Sequence, residues 1–293
     1  MLPRQIPVHT QKRPSRHIGR RLVVIVLLVA AMVGYLHIRP LSTVSAVSKR
    51  PTKVAQSPTT TSLAAMATNV NHILTTNSTV DISVTALDLK TGKTYNYGPS
   101  VVYEAASEGK LVAAICYTKQ VEQGTYSWST TLEDGSSAKS DMEKMIVNSD
   151  DTAWQSFIDL LTNDTLNSCA QDLGITDYDA NANTLSSSDV ALLLQKLYEH
   201  NATNNSDRAL LLGYLKIANY REYIIPALPS DVTSYHKTGL LDDRIHDAAI
   251  IDNGSNPIVL VIMTNGHGTY DFTDRTTAIQ QITKAVLAGF KIT

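Results

Sequence analysis

From residue 82 the stretch ISVTALDL alternates apolar and polar side chains, the two-residue period of a strand lying against a core. KTGK at 90–93 reads as a turn, and TYNYGP begins a return strand, so 82–99 is expected to be a hairpin. The spacing then becomes helical. Helices are expected over 63–75 and 107–123, the second with Leu111, Ala114, Ile115 and Thr118 on one side. Further helices are read at 150–162, 164–173 and around 206–217. SSSDVALLLQKLYEH at 186–200 opens on a Ser/Asp cap and runs as an amphipathic helix. EDGSSAKS at 133–140 reads as a polar loop with no helix behind it. Near the end the period shortens again. SYHKTG (234–239), HDAAIID (246–252) and PIVLVIMTN (257–265) read as three strands, and 273–289 as a closing helix.

Two strands, a helical middle, then three strands and a helix imply an α+β fold. The simplest assembly is a five-stranded antiparallel sheet from both chain ends, with flanking helices and an inserted all-helical subdomain. The cleft between the two parts is the expected place for a site.

The first 62 residues have a different character. Residues 22–38, LVVIVLLVAAMVGYLHI, are almost unbroken in their apolarity and follow six basic residues. That pattern predicts a cytoplasmic basic tail (1–21), a single membrane anchor (22–38) and a domain outside the cytoplasm. A cleaved signal segment, ending at Val44-Ser45-Ala46, is the alternative and also exports the domain. Residues 39–62 have the Ser/Thr/Pro composition of a linker, which leaves 63–293 as the folded domain. Beyond residue 53 the chain holds 15 basic and 27 acidic residues, a formal balance of −12. An acidic domain argues against a nucleic-acid partner. Two cysteines, Cys116 and Cys169, permit a disulfide in an exported domain, and two buried free thiols fit their apolar surroundings equally well. The histidines show no close metal-ligand spacing, and His236, His246 and His267 are expected to be packing residues rather than a metal site. No cofactor is expected.

Three short motifs carry the chemistry. Ser107-x-x-Lys110 opens a helix after a strand, Ser149-Asp150-Asp151 lies in the helical middle, and Lys237-Thr238-Gly239 lies on a late strand. Singly each is weak. SxxK recurs at Ser136/Lys139 and Ser234/Lys237, and a second KTG at Lys90-Thr91-Gly92 is explained by its turn. Each residue also has a plain structural role available. Ser107 and Ser149 could cap helices, and Lys237 could be a surface lysine. Taken in order, the three motifs resemble the SxxK, SDN and KTG set of class A β-lactamases and penicillin-binding proteins. The resemblance runs from about residue 63 to the end, and YHKTGLLDDRIHDAAII carries it most closely.

That resemblance implies a serine acyl-hydrolase acting on β-lactams or on the D-alanyl peptides of the cell wall. Ser107 would be the nucleophile and Lys110, one helical turn away, its base. Ser149 would relay a proton to the leaving nitrogen, and Asp151 would contact substrate. Lys237 would hold a substrate carboxylate, with Thr238 and Gly239 alongside. The N–H groups of Ser107 and Leu240 would form the oxyanion hole. The alternatives are a D,D-peptidase with the same acylation chemistry and a wall-binding module without turnover. Three departures stand out. Asp151 replaces the family's Asn, and an ionised carboxylate only accepts hydrogen bonds. Gly109 lies inside the expected helix. The deacylating Glu of class A enzymes has no counterpart in 173–190, where Asp177 and Asp179 are the only carboxylates before the next helix cap. Slow β-lactam hydrolysis is therefore expected.

Overall fold

A computed structural model describes residues 56–292. The expected tail and anchor lie outside the described residues. Among the described residues no helix is long and apolar enough to cross a membrane.

The first helix, α1 (Thr60–Thr76), begins earlier than its apolar spacing predicts, because Thr59 and Ser62 form a capping box. The hairpin follows as β1 (Asp81–Asp88) and β2 (Thr94–Tyr97). Its turn is closed by Gly92 N–H donating to Asp88 O at 2.8 Å, with Gly92 at φ 70°. The late strands are β5 (Thr233–Leu241), β6 (Arg244–Asp252) and β7 (Ile258–Asn265). They join the hairpin in the expected five-stranded antiparallel sheet, and the strand order is β2-β1-β7-β6-β5.

The sheet is covered on both faces, which explains the unbroken apolar run of β7. Ile258, Leu260 and Ile262 pack with Met66 and Val70 of α1 and with Ile279 and Ile282 of the last helix, α8 (Thr273–Gly289). Val259, Val261 and Met263 point the other way, into the core of the helical subdomain. The polar positions of β1 are likewise buried rather than solvated. Ser83 Oγ lies 2.7 Å from Tyr103 Oη, and Thr85 Oγ1 lies 2.9 Å from Ser187 Oγ, so their hydroxyls are partnered.

Three elements escaped the sequence pattern. Residues 133–140 are not all loop. Ser137 caps α3 (Ala138–Val147), whose Met142, Met145 and Ile146 are buried at helical spacing. Strand β3 (Val102–Glu104) pairs with β4 (Thr184–Ser186) in a second, two-stranded sheet. Three residues each are too few to show a period. The helix after Ser107, α2 (Lys110–Glu122), is buried on all sides from Lys110 to Thr118, not along one stripe. It is the central helix of its subdomain, ringed by α3, α4 (Asp151–Leu161), α5 (Asn163–Asp172) and α6 (Ser187–Tyr198), with α7 (Asn205–Lys216) packed on β5. The cysteines are not free thiols: Cys116 of α2 and Cys169 of α5 form a disulfide.

Candidate active site

Ser107 does not sit on an ordinary helix terminus. A 3-10 turn, Ala106–Gly109, joins β3 to α2, and neither start is capped by a side chain. Ser107 is therefore not an N-cap. Ala106 stands at φ 50°, a left-handed conformation that a residue with a Cβ adopts only when its surroundings impose it. Those surroundings are visible. Ala105 N–H donates to Asn183 O at 2.7 Å, and Asn183 Nδ2 donates to Ala106 O at 2.9 Å. Gly109 is explained by the same neighbour, because a Cβ there would collide with the Asn183 side chain. On the opposite side a Cβ on Gly239 would lie 2.9 Å from Ala105 O, so β5 runs directly against the Ser107 turn.

The two lysines come to the site from different elements. Lys110 Nζ, at the head of α2, lies 2.7 Å from Ser107 Oγ and 2.6 Å from Asp151 Oδ1. It also stands 4.6 Å from the centroid of the Trp154 ring. Burial lowers the Lys110 pKa, and the hydrogen bond and charge of Asp151 partly offset that. Lys237, on β5, is 2 % exposed and no surface lysine. Its Nζ donates to Ser149 Oγ at 2.8 Å and to Thr238 O at 3.1 Å. Burial first, and the neighbouring Lys110 charge second, bring its pKa down to about 7, against the pull of Glu108, Asp247 and Asp151.

Ser149 is left free to take that contact because Asp150 is the N-cap of α4, accepting from Ala153 N–H at 2.8 Å. Ser149 itself lies at φ 59°. Ser107, Ser149, Asp151, Thr238 and Leu240 line one cavity of about 160 Å³, together with Tyr220. Tyr220 is fixed at φ 60°, and its carbonyl accepts from Thr238 Oγ1 at 2.8 Å. All eight residues singled out by motif thus belong to one place in the fold. β5 is the edge of its sheet, so alternate backbone groups on its outer side have no strand partner.

Other residues are absent from the cavity wall. Asp177 and Asp179 are both exposed, and Asp179 Oδ1 accepts from Asn181 N–H at 2.8 Å within its own turn. The other SxxK pairs do not recreate the geometry. Ser136 Oγ bonds Asp134 and Lys144 instead of Lys139. His236, His246 and His267 do not converge: His236 meets Asp247, His246 meets Glu104 O, and His267 meets Asp81. Sequence reasoning missed Asn183, Trp154, Tyr220 and Glu108. Only Gly109, a helix-breaking residue inside the motif, hinted at a close neighbour.

A serine held against a buried lysine, faced by a second lysine–serine pair across a shared cavity, is an acyl-transfer arrangement. A family model described as the β-lactamase enzyme family matches residues 65–290. The chain belongs to the β-lactamase enzyme family. It is accordingly a serine hydrolase. No curated protein matches the chain at a significant level. Among solved structures, PBP-A is 22 % identical with a TM-score of 0.72, over 77 % of this chain and 96 % of that one. A PBP-A mutant, solved as an acyl-enzyme complex with penicillin G, is also 22 % identical, with a TM-score of 0.72 over 78 % and 97 % of the two chains. The β-lactamase of Sphaerobacter thermophilus is 20 % identical with a TM-score of 0.70, over 78 % of this chain and 98 % of that one. At these identities the likeness is one of fold. The family's α+β architecture is the one built here from both chain ends.

Proposed function

We propose that this β-lactamase-family protein is an exported, membrane-anchored enzyme acylated at Ser107 by β-lactams or by the D-alanyl peptides they mimic. The observation that carries the reading is the 2.7 Å contact of Lys110 Nζ with Ser107 Oγ, opposite the 2.8 Å contact of Lys237 Nζ with Ser149 Oγ. Neutral Lys110 takes the Ser107 proton as Oγ attacks the carbonyl carbon. The C–N bond then breaks, and the nitrogen receives a proton through Ser149. The Lys237 ammonium holds the substrate carboxylate, while Thr238 and Gly239 lie alongside the substrate as a neighbouring strand. The N–H groups of Ser107 and Leu240 stabilise the developing oxyanion. The penicillin G adduct of the PBP-A mutant supports this substrate class.

The D,D-peptidase reading is kept beside hydrolysis of β-lactams because Asp151 is the only carboxylate among the cavity-lining residues, and it is bonded to Lys110. A peptidase of this kind would be acylated by penicillin and released slowly. Export is supported by the apolar run at 22–38 and by the disulfide, a bond that oxidising compartments permit. Incubation with a fluorescent penicillin followed by mass spectrometry is the test. One adduct on the peptide containing Ser107 is expected. An adduct on Ser136 or Ser234 refutes the assignment, and no adduct at all favours a wall-binding module. Protease added to intact cells should remove the domain.

A further inference from the structure

Tyr220 lies between α7 and β5, in a segment that no motif marks. It stands at φ 60°. A glycine adopts that conformation readily, whereas a residue with a Cβ holds it under strain. The position therefore keeps a side chain that the backbone does not favour. The ring belongs to neither of the two apolar cores, and the residue is 46 % exposed. It lines the cavity instead.

The segment is braced from two sides. On the β5 side, Thr238 Oγ1 donates to Tyr220 O at 2.8 Å, and His236 Nε2 lies 3.2 Å from Ala218 O. At the end of α3, Val147 O accepts from Asn219 N–H at 2.9 Å, and Asn148 Oδ1 accepts from Asn219 Nδ2 at 2.9 Å. Tyr220 is thus tied to the residue after Lys237, and its neighbour Asn219 to the residue before Ser149. Lys237 Nζ and Ser149 Oγ themselves meet at 2.8 Å. The other apolar residue of the cavity wall, Leu240, stands three residues along β5 from Lys237. That is about 10 Å of strand. There Gly239 runs against the Ser107 turn. The cavity has two ends, with Tyr220 at the Lys237–Ser149 end and Leu240 at the Ser107 end.

We propose that Tyr220 is a specificity-determining residue: its ring walls the leaving-group end of the cavity and selects substrates with an apolar substituent at or beside the carbon that bears the terminal carboxylate. The naming of that end rests on the acylation reading above, in which Lys237 holds the carboxylate of the leaving group and Ser149 passes a proton to its nitrogen. Both act on the fragment that departs. A side chain fixed beside them meets that fragment, not the acyl part bonded to Ser107. A terminal D-alanine offers a methyl group there, and a penicillin offers the two methyl groups of its five-membered ring. The face of a phenol ring covers such groups while its hydroxyl stays in water. A terminal glycine offers nothing to cover. The braces on both sides of Tyr220 lower the ordering cost of the wall when substrate binds.

The test is equilibrium binding to the full chain carrying Ser107→Ala, followed by NMR titration. The two ligands share their acyl part: N-acetyl-D-alanyl-D-alanine and N-acetyl-D-alanylglycine. The first should bind about fourfold more tightly, the worth of one buried methyl group. Adding Tyr220→Gly, which accepts the φ of 60°, should bring the ratio close to one. Tyr220→Phe should keep it. Exchanging acetyl for propionyl, at the other end of the ligand, should change affinity by the same factor with and without the ring. No preference before the Tyr220 substitutions, an undiminished preference in Tyr220→Gly, or its loss in Tyr220→Phe overturns the proposal. Should Tyr220→Gly not fold, Tyr220→Asn removes the ring with a residue that tolerates a positive φ, and is read the same way. Penicillin labelling of the wild type separates the two readings. Labelling at Ser107 with an unmoved ratio overturns the role of Tyr220 alone. No labelling, with a ratio that collapses in Tyr220→Gly, overturns the acylation reading and supports the wall.

Discussion

Lys110 Nζ stands 2.6 Å from Asp151 Oδ1, and the two residues differ sharply in exposure: Lys110 has none, whereas the Asp151 side chain is 85 % exposed. The lysine is held in a dry site by a carboxylate that is itself in water. Burial favours the neutral amine that the proposed attack by Ser107 requires, and Asp151 favours the ammonium. Replacing Asp151 by Asn should therefore shift the acid limb of the acylation profile to lower pH and quicken acylation near neutrality. The shift should be under about one unit, because an exposed carboxylate is screened. Raising the ionic strength should move the wild type toward the variant. Identical pH–rate profiles for the two proteins would show that Asp151 does not act on Lys110.

Penicillin adducts should persist. Acylation needs Ser107, its base and an oxyanion hole. Deacylation needs a water activated beside the ester, and no cavity-lining residue except Asp151 carries a carboxylate. Loss of a positioned general base costs about 10²–10⁴-fold in the step it serves. A pulse–chase with labelled penicillin should show an adduct outlasting many acylation times. Rapid steady-state hydrolysis with no accumulated adduct would contradict this.

Gly109→Ala should loosen the nucleophile. The added methyl collides with the Asn183 side chain, which braces Ala106. Overpacking of this kind costs about 1–3 kcal/mol. A displacement of Ser107 by about 1 Å would slow acylation about 10²-fold. In an Asn183→Gly background the same substitution should cost less, since the clash is gone while the φ of 48° at position 183 is kept. Additive losses in unfolding and acylation measurements would place the strain elsewhere.

Acid should destabilise the fold through His246. Its Nε2–H donates to Glu104 O at 2.9 Å and its Nδ1 accepts from Thr264 N–H at 3.1 Å, so the neutral ring uses both nitrogens. Burial above all lowers its pKa from 6.5 to about 4. Between those values the unfolded chain binds a proton that the folded chain refuses. Stability from this group is therefore intact above 6.5 and falls as pH falls toward 4. The loss is on the order of 3 kcal/mol at most. Denaturant unfolding at about pH 7 and about pH 5 should show it, with a shallower loss in His246→Gln. Equal losses in both proteins would assign the acid sensitivity to other groups.

Much of the architecture was legible in the chain because it is written in local terms. The period of ISVTALDL and the length of PIVLVIMTN mark strands, and SSSDV marks a helix start, since each depends on residues a few positions apart. The order of Ser107-x-x-Lys110, Ser149-Asp150-Asp151 and Lys237-Thr238-Gly239 pointed to residues that the fold brings together around one cavity. A helical turn brings Ser107 and Lys110 together whatever surrounds them. The helix at Ala138–Val147 was lost behind the polar residues that cap it, and the short strands β3 and β4 exist only because each finds the other.

What only the tertiary structure decided is the state of each side chain. Asp150, not Ser149, caps α4, which frees Ser149 for Lys237. Cys116 and Cys169 are bonded because α2 and α5 pack side by side. Asn183 reaches the Ser107 turn from a loop that carries no motif, and Trp154 meets Lys110 from α4, three residues past Asp151. Glu108, polar and in the first turn of an expected helix, is completely buried. Its surroundings come from β5 and β6, more than a hundred residues later in the chain. Charge, hydration and proton affinity depend on what lies within a few ångströms in space, and sequence neighbours supply only part of that shell.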